Sequence, residues 1–66
     1  MNTDILTVLR RWLKLTPAHR LELAPQLREG YRAHDAETFA ENPYPADSPE
    51  ADAWMVGWDR RHEENS

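Results

Sequence analysis

The sequence predicts an all-α domain of three to four helices, with a proline-rich loop before the last one. Three observations carry this reading. Apolar residues recur at helical spacing near both ends of the chain. Thr16-Pro17 and Ser48-Pro49 each place a hydroxyl side chain directly before a proline, the pattern that caps and starts a helix. Pro43, Pro45 and Pro49 crowd one short stretch, which forbids helix and stiffens an extended connector.

The first helix is expected over 4–15. Ile5, Leu6, Leu9, Trp12 and Leu13 form its apolar stripe, Asn2 or Thr3 can cap it, and Asp4 suits the positive end of the helix dipole. Arg10, Arg11 and Lys14 lie toward the C-terminal end, where cations are favoured. A short second helix over 17–23 follows, since Pro25 would clash with the carbonyl of Leu21 if the helix ran straight on. Ala24-Pro25 reads as a restart, with a kinked continuous helix as the alternative. The third helix runs from Pro25 to Phe39 or Ala40, with Leu27, Tyr31 and His34 on one stripe. Gly30 inside it costs about 1 kcal/mol relative to Ala, which points to close packing under an aromatic ring. The last helix is expected over 49–62, with Ala51, Trp54, Met55 and Trp58 on one face and a frayed tail over 63–66.

A chain of 66 residues is one domain at most. At this size a single core supplies about 3–5 kcal/mol of net stability. With no cysteine, neither a disulfide nor a thiolate metal site can brace it, leaving aromatic packing or association. The organisation read from the sequence is a single helical domain over 1–62. It comprises N-terminal helices over 1–27 and a helix–loop–helix over 28–62. Residues 1–15 carry Asp4, Arg10, Arg11 and Lys14, so they lack the unbroken apolar run of a signal peptide or membrane span. A cytoplasmic location is the expectation.

The net charge of −4 is unevenly spread. Residues 1–29 hold five basic groups against three acidic ones, and residues 30–66 hold three against nine. The acidic half repels phosphate backbones. Any direct nucleic-acid contact is therefore expected on the N-terminal half, where Arg10, Arg11, Lys14 and Arg20 form the candidate basic surface. The opposing candidate is an acidic surface of Glu41, Asp47, Glu50, Asp52 and Asp59.

No residue pattern suggests catalysis. His19, His34 and His62 form no recognisable metal constellation, and His62-Glu63-Glu64 lacks the second histidine of a zinc-protease motif. Gly30 and Gly57 are the only glycines, so there is no phosphate-binding loop, and Ser48 reads as a helix cap. The expectation is a non-enzymatic binding protein without cofactor or metal. Trp54 and Trp58, one turn apart, read mainly as core, with Gly57 between them admitting another backbone, such as the Asn42-Pro43-Tyr44 loop. Tyr44 is expected to tuck against Trp54 or Trp58.

Three motifs carry a family resemblance: Gly30-Tyr31-Arg32-Ala33, Asn42-Pro43-Tyr44 and Trp54-Met55-Val56-Gly57-Trp58. Over about residues 28–60 the chain resembles the ribosome modulation factor family, which also takes in CrpP-like small proteins. The resemblance implies two helices flanking a Pro-Tyr loop, with Gly30, Tyr31, Asn42, Pro43, Tyr44, Trp54, Gly57 and Trp58 as the structural motif. It also implies a non-enzymatic, ribosome- or translation-associated role. The chain differs from that family in its acidic matching region, in Asn42 where cysteine is often found, and in lacking a second glycine around His34 to Glu37. The alternative function is a phage or mobile-element accessory protein that inhibits a host defence protein through the acidic surface. Finally, Val8 and Leu15 lie off the first helix's main stripe, which predicts a homodimer through Val8, Leu15 and Leu9.

Overall fold

The computed structural model describes residues 5–35 and 42–65. Four helices form, as expected: α1 (Ile5–Lys14), α2 (Pro17–Glu22), α3 (Ala24–Ala33) and α4 (Pro49–Glu64). There is no strand among the described residues, and no helix among them is long and apolar enough to cross a membrane. Both hydroxyl caps work as the sequence indicates. The Thr16 hydroxyl accepts from the His19 amide and the Ser48 hydroxyl from the Ala51 amide, each at 3.1 Å. Ala24-Pro25 is a true restart: Leu23 leaves helical geometry at φ −93°, ψ 5°, and Pro25 stands in the first turn of α3.

Two helix ends differ from expectation. α3 stops at Ala33, because its last turn tightens: the Asp35 amide bonds the Arg32 carbonyl three residues back. The remainder of the expected extension, 36–40, lies outside the described residues, as do the Asn2, Thr3 and Asp4 cap positions. At the other end, α4 continues through Glu63 and Glu64 instead of fraying. Glu64 is held by the Tyr31 hydroxyl and by Arg61, one turn back.

α1 is rotated relative to the expected stripe. Its sequence carries two interleaved sets at helical spacing, Ile5/Val8/Trp12/Leu15 and Leu6/Leu9/Leu13. The first set faces the core: Val8 is fully buried and Trp12 nearly so, with Ile5, Leu9 and Leu15 packed against them. Leu6 and Leu13 point outward, 61% and 67% exposed. Arg11 accompanies the first set. It lies on the inward side and donates to Asp52 of α4 at 2.8 Å, whereas Arg10 and Lys14 share the outer face with Leu6 and Leu13. Of the three residues expected at a dimer contact, Val8 is fully buried within the chain, whereas Leu9 and Leu15 are partly buried against it.

α4 is the central helix. Ala51, Asp52, Ala53 and Trp54 are buried in succession, followed by Val56 and Gly57. Its first turns are therefore enclosed on most sides, not on the single face expected, with α3 and α1 both packed against it. Burying four consecutive residues requires small ones, and Ala51 and Ala53 supply them.

The closest packing lies at the crossing of α3 and α4, where each helix turns a glycine to the other's backbone. A Cβ on Gly30 would stand 1.9 Å from the Trp54 carbonyl oxygen, and one on Gly57 would stand 1.9 Å from the Leu27 carbonyl oxygen. Gly30 therefore lies under the α4 main chain and not under an aromatic ring. Likewise, the backbone admitted by Gly57 is that of α3 and not the Asn42–Tyr44 loop. Relief of either clash requires the helices to separate, since the obstructing atoms are backbone. Gly30→Ala and Gly57→Ala gain about 1 kcal/mol in helix propensity, but overpacking at such a contact exceeds that gain. Each is expected to lose about 1–3 kcal/mol net in urea denaturation. Stability equal to or above the parent in both variants would contradict the close crossing.

Candidate functional site

The residues of the Gly-Tyr, Asn-Pro-Tyr and Trp-x-x-Gly-Trp motifs bind α3, the loop and α4 to one another. Asn42 holds the loop at both ends of its amide. Its nitrogen donates to the Ala51 carbonyl at 3.0 Å and its oxygen accepts from the Tyr44 amide at 3.1 Å, a local turn that Asn is suited to make. Tyr44 does not tuck against Trp54 or Trp58. Its hydroxyl donates to Glu29 of α3, so the loop is tied to α3 through a carboxylate. Pro43 is exposed.

Trp54 is buried, whereas Trp58 is half-buried and belongs to an aromatic stack at the far end of the seam. Its ring lies edge-on to His34 at 4.8 Å and stacked on His62 at 5.1 Å, and the two imidazoles approach at 3.2 Å. Beside the stack, Arg61 clamps both oxygens of Asp35 at 2.8 and 3.1 Å. No group of three or more metal-ligating side chains converges among the described residues. The described contacts of these motif residues join α3, the loop and α4.

The two charged surfaces read from the sequence meet at one point among the described residues. Arg11 and Asp52, one member of each, pair with one another between α1 and α4. Glu41 lies outside the described residues. Glu50 sits in the first turn of α4, where a carboxylate favours the helix dipole; Asp47 lies just before that helix, and Asp59 is half-buried two turns further on. Arg10 and Lys14 lie on the outer face of α1.

Arg20 instead joins two cations that the sequence reading did not select. Arg20 of α2, Arg28 of α3 and Arg60 of α4 rim an open groove of about 510 Å³, floored by Pro17, Leu21, Ala24, Leu27 and an edge of Trp12. None of the three arginines makes an ion pair among the described residues. Leu21 in this groove is 76% exposed, the most exposed large apolar side chain among the described residues. Arg20 and Arg28 stand four residues to either side of Ala24, a spacing visible in the sequence. Arg60 comes from the acidic half and reaches the groove only through the α3–α4 packing.

The two tyrosines give the seam a pH signature. Hydrogen bonding to Glu64, with some burial, raises the Tyr31 phenol above its ordinary 10.0. Hydrogen bonding to Glu29, again with some burial, does the same for Tyr44. A raised folded-state pKa contributes stability that is fully present below the unfolded value and is lost as pH rises through the folded one. Asp35 behaves in the opposite sense. Its hydrogen bonds from Arg61 lower its pKa below 3.8, so its contribution is present above that value and lost as pH falls through the folded one. Spectrophotometric titration of the phenols is therefore expected to show midpoints above that of free tyrosine. The wild type should lose stability beyond about pH 10 more steeply than a Tyr31→Phe, Tyr44→Phe variant. Midpoints at or below that of free tyrosine would contradict both hydrogen bonds.

Comparison of the chain with protein-family models, curated proteins and solved structures finds no match.

Proposed function

We propose that the chain is a small non-enzymatic binding protein of the ribosome modulation factor type, associated with the ribosome or the translation machinery. The observation that carries this reading is the gathering of Arg20, Arg28 and Arg60 from three helices around one open, apolar-floored groove. In a chain with a net charge of −4, three arginines on one recess, with no ion pair among the described residues, are a directed positive surface, not a general one. The resemblance over about residues 28–60 supplies the ribosome as the partner. The motif that carries it maintains the α3–α4 seam, and that seam brings Arg60 beside Arg28. The acidic-surface alternative has less support, because Asp52, one of its members, is already bound to Arg11.

Co-sedimentation of the purified protein with ribosomes at low and physiological salt tests this reading. Binding is expected at low salt, weaker at physiological salt as screening grows, and absent at both for Arg20→Glu, Arg28→Glu, Arg60→Glu. Failure of the wild type to co-sediment at either salt would reject the ribosome as partner.

A further inference from the structure

The groove's chemistry narrows the class of molecule that fills it, and the narrowing rests on the reading of this groove as the binding face. Its floor is aliphatic: Pro17, Leu21 and Leu27 supply most of it, and Trp12 is only 6% exposed. Single-stranded nucleic acid is held by aromatic rings on which bases stack, and no open aromatic face is presented here. An aliphatic floor takes aliphatic side chains, and the arginine rim takes carboxylates, which its planar forks can grip in pairs. Arginine is also among the residues enriched at protein-binding hot spots.

A second copy of the chain does not fit. Its exposed apolar helical face, Leu6 and Leu13 of α1, is flanked by Arg10 and Lys14 and would bring cations against the arginine rim. The occupant must combine an apolar stripe with negative flanks. From this charge complementarity we infer that the groove formed by α2, α3 and the distal half of α4 docks an acidic amphipathic helix of a partner protein. The apolar stripe lies on Leu21 and Leu27, and the acidic flanks face Arg20, Arg28 and Arg60.

The test uses a stapled helical peptide with leucines at helical spacing on one face and glutamates on both flanks, labelled for fluorescence anisotropy against the full chain. Companion probes carry lysine for every glutamate, or the same residues scrambled, and unlabelled oligouridylate serves as competitor. Saturable binding of the acidic peptide is expected, about tenfold or more tighter than either companion and about tenfold weaker for Arg28→Gln, Arg60→Gln (about 1.4 kcal/mol). Leu21→Ser is expected to weaken it as well, with circular dichroism verifying that these surface variants stay folded. No saturable binding, equal binding of the scrambled peptide, or displacement by oligouridylate at lower concentration than by unlabelled acidic peptide would overturn the inference. Peptide binding by a protein that does not co-sediment with ribosomes would uphold the partner class while rejecting the ribosome. Ribosome binding that survives in the glutamine variant while peptide binding is lost would uphold the docking inference and remove the groove from ribosome binding.

Discussion

The structure depends on the direct backbone contact between α3 and α4. Two glycines, Gly30 and Gly57, are placed so that each helix lies against the main chain of the other. In a domain of this size little apolar surface is available for burial, and close approach makes more of it useful by increasing dispersion contact along the seam. The approach also fixes register. With Gly57 under Leu27 and Gly30 under Trp54, α4 cannot slide by a turn without driving a side chain into a carbonyl. The lateral bonds then fall into place, Tyr31 to Glu64, Arg61 to Asp35 and Asn42 to Ala51.

The same register determines which charges remain available. The two long-range ion pairs, Arg11–Asp52 and Arg61–Asp35, take one arginine from each end of the chain. Arg11 is partly exposed and Asp52 nearly buried, so this pair locates α1 on α4 more than it adds stability. Of the arginines that make no ion pair among the described residues, three meet at the groove. The groove is thus a consequence of packing: Arg60 reaches Arg28 only because α4 crosses α3 at the glycines.

Much of the frame was legible in the sequence because its signals are local. Thr16-Pro17 and Ser48-Pro49 mark helix starts through hydrogen bonds that span three residues, and Pro25 forces a restart by steric exclusion. The rotation of α1 was not legible. Leu6/Leu9/Leu13 and Ile5/Val8/Trp12/Leu15 are both acceptable apolar stripes, and which one is buried depends on Ala53 and Val56, far along the chain, against which Val8 and Trp12 cluster. The glycines were read correctly as sites of close approach, but what approaches them is a tertiary fact. Tyr44 illustrates the same limit: the loop's turn follows from Asn42, whereas the destination of the phenol, Glu29, follows from how α3 lies beside the loop. The basic groove was half legible. Arg20 was selected and Arg28 stands at a readable spacing from it, but Arg60 lies in a strongly acidic stretch that composition alone argues against.

The measurement that bears most directly on this account is a set of through-space NMR contacts across the α3–α4 crossing. The close approach predicts cross-peaks between the Hα protons of Gly57 and the Tyr31 amide proton, and between the Hα protons of Gly30 and the Hα of Trp54, since a Cβ on either glycine would come within 3.0 Å of those backbone atoms. Their absence, in a protein whose helical cross-peaks within α3 and α4 are otherwise complete, would mean that the helices are held apart by side chains. The register, the seam and the groove that follows from them would then be wrong.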